Sequence, residues 1–155
     1  FGAGMASDRF GILFHNRGSG FTLEEGHPNE AGPGKRPLHT IIPGMLRRDG
    51  ALAGAFGVMG GQYQAAGHAR FVTNLETFGM DVQEAIDAPR SFPEAGELRV
   101  ERGYGAEVRD RLAAMGHRVV VPEEPIGGAQ AILLTPEGGL VAGSDPRKDG
   151  CALGY

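Results

Sequence analysis

Between residues 38 and 78 the order of residue types leaves few possible folds. Leu38 to Leu46 reads as a strand, Asp49-Gly50 is a two-residue hairpin signal, and Ala51 to Val58 returns as a second strand with side chains small enough for a central position. Met59-Gly60-Gly61-Gln62 then breaks the strand. Val72, Leu75 and Phe78, with Phe71 beside them, keep a helical step as far as Gly79, a natural C-terminal stop. A hairpin whose second strand passes through a double glycine into a helix needs a sheet with a helix laid against it, which favours a layered α/β (α+β) domain over a bundle or an all-β sandwich.

The flanking sequence agrees with that layering. Asp81 and Glu84 form a capping-box pattern for a short helix, Val82 to Ala88, which Pro89 ends. Leu98 to Glu101 reads as a short strand, and Ala106 to Met115 as a helix carrying Val108, Leu112 and Met115 and closed by Gly116. Arg118 to Val121, Ala129 to Thr135 and Leu140 to Gly143 read as strands, the last two joined by Pro136-Glu137-Gly138-Gly139. Upstream, Gly11 to His15 resembles a short strand, and Asn16 to Arg36 is a long Gly-, Pro-, Asn- and Glu-rich loop of the kind that carries function or moves. No repeat or linker divides the chain, so a single domain over residues 1–155 is expected.

Composition narrows the function. Glycine supplies 27 of 155 residues, more than double the usual share of roughly 7%, without a collagen period; the chain therefore needs many tight backbone positions. A net charge of −4 with no long basic tract argues against nucleic acid as a partner. No apolar run approaches the roughly 18 residues of a membrane span. The single cysteine, Cys151, excludes an internal disulfide framework, fits a cytoplasmic setting without excluding a periplasmic or secreted one, and reads as a small buried residue. Phe1-Gly2-Ala3-Gly4 is neither a translation start nor a signal peptide, so the chain is expected to begin mid-sequence.

Three places can carry chemistry. Gly60-Gly61 lies between a strand and a helix, where unpaired N–H groups with partial positive charge accept an anion or the oxyanion of acyl transfer; a tight turn with no further role is the alternative. Arg17, in Asn16-Arg17-Gly18-Ser19-Gly20, suits either a carboxylate ligand or a structural ion pair. His39-Thr40 stands where loop becomes strand. The five histidines show no His-x-x-x-His spacing, so no metal is expected. No Gly-x-Gly-x-x-Gly or Gly-Lys-Ser/Thr pattern follows the double glycine, which argues against a nucleotide. Ser144-Asp145-Pro146-Arg147 predicts buried turn hydrogen bonds and an Asp–Arg pair.

Taken in order, Phe1-Gly2-Ala3-Gly4, Asn16-Arg17-Gly18, Gly34-Lys35-Arg36-Pro37-Leu38, Gly57-Val58-Met59-Gly60-Gly61, Asp87-Ala88-Pro89-Arg90, Ala129-Gln130-Ala131-Ile132 and Ser144-Asp145-Pro146-Arg147 resemble the C-terminal part of the small subunit of the gamma-glutamyltranspeptidase family. The resemblance runs over nearly the whole chain. It implies the αββα sandwich of N-terminal-nucleophile hydrolases, here a partial copy lacking the N-terminal strands of the small subunit. It also implies a self-cleaving precursor, an N-terminal Thr nucleophile, an acyl-enzyme and no cofactor. By position, Gly60 and Gly61 match the family's oxyanion-hole glycines. His39 and Thr40 match two serines that contact the donor carboxylate. Arg17 stands where the family has a Gln or Glu holding the donor's amino group, and Gly20 where it has an Asp pairing with that ammonium.

These departures point away from a γ-glutamyl donor and toward a small anionic amide, as in the family's amidohydrolases and acylases. The Thr-Thr-His-x-Ser segment with which such subunits open is absent here. The chain alone is therefore expected to be inactive, to need the large subunit and the rest of its precursor, and to dimerise or aggregate without them. The alternative is a non-catalytic binding or structural module that keeps the fold.

Overall fold

Asp49 and Gly50 both adopt positive φ, 50° and 82°, the backbone of the tight turn that matches strand twist. They join β1 (Gly44–Arg48) to β2 (Ala51–Met59). The computed structural model describes residues 2–155, so Phe1 of the first family-like segment lies outside the described residues. The chain forms two compact units, Phe1–Thr40 and Ile41–Tyr155.

The second unit holds the sheets. β1 and β2 continue into β6 (Gly128–Leu134) and β7 (Leu140–Ser144) as one antiparallel sheet of order β1-β2-β6-β7. β2, rich in Gly and Ala, is interior, as its small side chains predict. After a 3-10 turn at Gly61–Tyr63 comes helix α1 (Gln64–Glu76), then α2 (Val82–Asp87). The capping box at α2 is present: the Glu84 amide donates to Asp81 Oδ1 at 2.8 Å and the Asp81 amide to Glu84 Oε2 at 3.0 Å. Both helices cover one face of the sheet, where Phe71, Val82, Ala85 and Ile86 close on Val58, Ala129 and Ala131. Buried Asn74 ties them together by donating to the Ala85 carbonyl at 3.2 Å. A second sheet, β3 (Ser91–Glu94), β4 (Glu97–Val100) and β5 (Val119–Val120), is antiparallel at β3-β4 and parallel at β4-β5, with α3 (Ala106–Ala114) in the crossover.

The opposite face of the four-stranded sheet is apolar and open. Met45, Ala55, Ile132 and Ala142 are paired neighbours across all four strands, and Met45 and Ile132 keep 73% and 49% of their surface exposed.

Four expectations change. Gly11 to His15 is not a strand: in a narrow loop the Ala3 amide donates to the Phe14 carbonyl, the Phe14 amide to Met5 and the Ser7 amide to Ile12, with a single bridge at Ala6 and Leu13. Positive φ at Gly2, Gly4 and Gly11 (57°, 65° and 64°) stops the pairing from spreading. β1 starts only at Gly44, because Pro43 has no N–H for the ladder. β3, unforeseen because Pro93 lies within it, is an edge strand, where proline is tolerated. Cys151, expected to be buried, is exposed.

Four charges lock the second unit. Asp145, fully buried, accepts from Arg90 Nη2 at 2.5 Å, from the Ala129 amide at 2.7 Å and from the Arg147 amide at 3.0 Å. Glu101 accepts from Arg147 Nη2 at 2.8 Å and from the amides of Arg90 and Ile126, each at 2.9 Å. The two guanidiniums also cap the end of α2, donating to the carbonyls of Ile86, Asp87 and Ala88. The buried pair anticipated for Ser144-Asp145-Pro146-Arg147 is present, and Arg90 adds a second partner. Burial alone would raise the Asp145 carboxyl, but the Arg147 amide, the Arg90 guanidinium and the Ala129 amide outweigh it and hold it below its ordinary 3.8.

Removing one member of such a network leaves a buried charge unpaired. Asp145→Ala should lower the unfolding free energy of the complete protein by about 3–5 kcal/mol in urea titration. Because the folded pKa is depressed, the Asp145 contribution is complete above the ordinary value and fades as pH falls through the folded one. The wild-type protein should therefore lose stability on acidification, and Asp145→Asn should lose less over the same range.

Candidate active site

The double glycine is built from the sheet outward. β2 ends at Met59, paired with Gly128 at the start of β6. Gly60 takes φ 133° and Gly61 φ 58°, conformations that L side chains rarely adopt. The chain can then reverse direction and enter the 3-10 turn that leads to α1. Two carbonyls are held against the fold. The Gly60 oxygen accepts from the Tyr63 amide at 3.1 Å, and the Gly61 oxygen from the side-chain amide of buried Gln64 at 3.2 Å.

In a trans peptide the N–H points opposite to the carbonyl of the same plane. Fixing the Gly60 oxygen toward Tyr63 therefore turns the Gly61 N–H the other way. The preceding plane follows the same logic, because the Met59 oxygen sits where a Cβ on Gly127 would be. Both glycines are exposed, and among the described residues neither amide has a hydrogen-bond acceptor. Two adjacent, unpaired and accessible N–H groups can accept one anionic oxygen.

In the first unit, Arg17 opens a 3-10 turn, Arg17–Gly20, and its amide donates to His15 Nδ1 at 3.0 Å. Its guanidinium donates through Nη1 to Thr40 Oγ1 at 2.7 Å. Two residues picked out separately in the sequence, 23 positions apart, are thus brought together. Arg17 makes no ion pair among the described residues, so the structural-pair alternative has no partner there, and the rest of the fork remains for a ligand. His39 is exposed and makes no side-chain hydrogen bond among the described residues. Gly20 contributes backbone alone: its carbonyl accepts from the Asn29 side chain. No group of three or more His, Cys, Asp or Glu side chains that could hold a metal gathers among the described residues.

Sequence reasoning passed over Tyr63. It is 3% exposed, its ring stands edge-on to Phe92 at 5.5 Å with an interplanar angle of 82°, and the Arg90 guanidinium lies 6.0 Å from its centre. Burial pushes its hydroxyl above the ordinary phenol value of 10.0, despite Arg90 and Arg70 nearby. The signal was its spacing, three residues after Gly60 and four before Gly67.

Comparison with known proteins bears on the family and the fold. The family model for gamma-glutamyltranspeptidase matches residues 1–155. The chain is 37% identical over 163 residues to the glutathione hydrolase-like YwrD proenzyme of Bacillus subtilis, covering 99% of this chain and 31% of that protein. It is 34% identical over 164 residues to the oxamate amidohydrolase proenzyme of Klebsiella pneumoniae, covering 100% and 31%. Each relative is thus matched over about a third of its length. The structure of the gamma-glutamyltranspeptidase from Pseudomonas nitroreducens complexed with L-DON superposes with a TM-score of 0.86 at 24% identity, over 100% of this chain and 88% of that one. The fold is therefore that of these N-terminal-nucleophile hydrolases, and the chain belongs to the gamma-glutamyltranspeptidase family.

Proposed function

We propose that this chain supplies the oxyanion hole and the donor-recognition residues of an amide hydrolase or acyltransferase that works through an acyl-enzyme. The observation that carries this reading is the Gly60-Gly61 turn, with two exposed amides left unpaired while the carbonyls beside them are held by the fold. The nucleophile is the hydroxyl of an N-terminal Thr that this chain does not contain, with its own α-amino group as base. Attack on the amide carbonyl forms a C–O bond and places the negative charge on oxygen. The Gly60 and Gly61 N–H groups stabilise that oxygen, the amine leaves with a proton, and water or a second amine takes the acyl group. No cofactor enters these steps.

Arg17, steadied by Thr40, binds an anionic end of the donor, with His39 beside Thr40 in the chain. A cation here disfavours the ammonium of a γ-glutamyl group, and Gly20 offers no carboxylate to compensate. The substrate is therefore a small anionic amide, as the name of the oxamate amidohydrolase relative suggests for that protein; a γ-glutamyl compound is the second choice. The large subunit and the remainder of the small subunit complete the molecule. The open row of Met45, Ala55, Ile132 and Ala142 fits the inner face of a sandwich that a second sheet covers.

Each part has its own test in the complete enzyme. Gly60→Ala, which forces a Cβ to within 3.2 Å of Gly127 and 3.3 Å of the Tyr63 ring, should cut kcat about 10²–10³-fold with KM little changed; unchanged kcat rejects the oxyanion role. Arg17→Ala should raise KM for oxamate about tenfold or more, since a charged hydrogen bond contributes about 1.5–3 kcal/mol, and leave KM for uncharged amides alone. Equal effects on both would reject the carboxylate contact. Ile132→Lys should block assembly and self-cleavage of the precursor, seen as uncut chain on a denaturing gel.

A further inference from the structure

Three glycines meet one aromatic ring beneath the double-glycine turn. A Cβ on Gly60 would lie 3.3 Å from both Cβ and Cδ1 of Tyr63. A Cβ on Gly127 would lie 2.8 Å from Cδ1, and one on Gly67 2.8 Å from Cε1. A side chain at Gly67 or Gly127 would collide with the ring and one at Gly60 would crowd it, so the ring occupies the room their absence leaves. The remaining space among Tyr63, Val58, Gly67, Phe71 and Ala129 is about 10 Å³, so the ring is closely packed.

The Tyr63 amide in turn holds the Gly60 carbonyl, and with it the direction of the Gly61 N–H. Any residue at position 63 would offer that amide; the ring decides where the amide sits. The phenol oxygen is different. It is buried and has no hydrogen-bond partner among the described residues, so it adds nothing to the grip.

We infer that Tyr63 is the positioning residue of the Gly60-Gly61 turn, its ring wedged among Gly60, Gly67 and Gly127 so that the two amides are fixed before substrate arrives. This role presupposes that those amides form the oxyanion hole. Preorganised donors act because they need no reorganisation during reaction, and an error of about an ångström in such a site costs up to roughly 10²-fold in rate.

The complete enzyme should be assayed with oxamate and a γ-glutamyl anilide, and with a boronic acid carrying the better substrate's acyl chain, which forms a tetrahedral adduct on the nucleophile. Expressing the two subunits as separate chains keeps the assay independent of self-cleavage. Tyr63→Phe should keep kcat within about twofold and melt no lower than wild type, because only an unpaired hydroxyl is lost. Tyr63→Leu should lower kcat at least about tenfold with KM within threefold, and weaken the boronate by the same factor as kcat/KM. Phe92→Leu, which removes the edge contact, serves if Tyr63→Leu does not fold, and should lower kcat at least threefold in the same pattern.

A folded Tyr63→Leu enzyme with less than a tenfold loss overturns the inference. So does a Phe92→Leu loss below threefold where that variant stands in, a loss carried by KM with boronate affinity intact, or a Tyr63→Phe loss equal to that of Tyr63→Leu. If instead Gly60→Ala itself keeps wild-type kcat, the oxyanion reading falls and the positioning role falls with it. A crippled Gly60→Ala beside an active Tyr63→Leu removes the positioning role alone.

Discussion

The largely buried quartet of Arg90, Glu101, Asp145 and Arg147 is the constraint on which the second unit depends. It is neutral as a set, and each carboxylate is satisfied by guanidinium and backbone N–H together. That completeness matters more than the number of ion pairs. A half-satisfied buried network destabilises, whereas a closed one fixes geometry. The quartet joins the end of α2, the start of β3, the end of β4, the loop at Ile126 and the end of β7. Segments far apart in sequence thus have one permitted arrangement. Hydrophobic contact alone would leave these loops, with their many glycines, free to choose among several.

That arrangement reaches the glycine turn through two short links. Asp145 holds the Ala129 amide and thereby sets the start of β6, where Gly127 and Gly128 lie against Met59. Arg90, held by Asp145, flanks the ring of Tyr63. Two of the segments that carry the family resemblance, Asp87-Ala88-Pro89-Arg90 and Ser144-Asp145-Pro146-Arg147, therefore build the frame behind the turn. Arg90, Asp145 and Arg147 are spent on one another, on Glu101 and on backbone groups.

Local signals in the sequence were legible because they have local causes. Asp49-Gly50 meets the need of a tight turn for positive φ, Asp81 and Glu84 satisfy each other's backbone within four residues, and the small residues of β2 suit an interior strand. Gly60-Gly61 belonged to the same class. Arg17 and Thr40 were found separately, but their hydrogen bond was not, since nothing in the sequence between them, 23 positions apart, encodes it. The same holds for Arg90 with Asp145, which are 55 residues apart. Gly11 to His15 had the apolar residues of a strand but not a partner able to pair along its length. Tyr63 escaped notice because a lone tyrosine at the start of a helix looks like ordinary core. Its meaning lies in three missing side chains, and one of them, at Gly127, is far from it in sequence.

Under the proposed function, the chemistry and the selectivity can change independently. The turn at Gly60-Gly61 is fixed by backbone geometry and by neutral packing, so it is indifferent to what the acyl group carries. Arg17 lies in the other unit, on a 3-10 turn with few buried neighbours. Replacing an acidic partner by Gly20, and a Gln or Glu by Arg17, reverses the sign of the field a donor meets. For unit charges about 4 Å apart near a protein surface, each unit of charge gained or lost is worth about 4 kcal/mol before solvent and salt reduce it. That is enough to exchange an ammonium for a carboxylate as the preferred group while the oxyanion donors stay as they are. If the proposed roles of Gly60-Gly61 and Arg17 hold, the preferred donor can change through a few residues of the first unit, with no change in the charged quartet behind the turn.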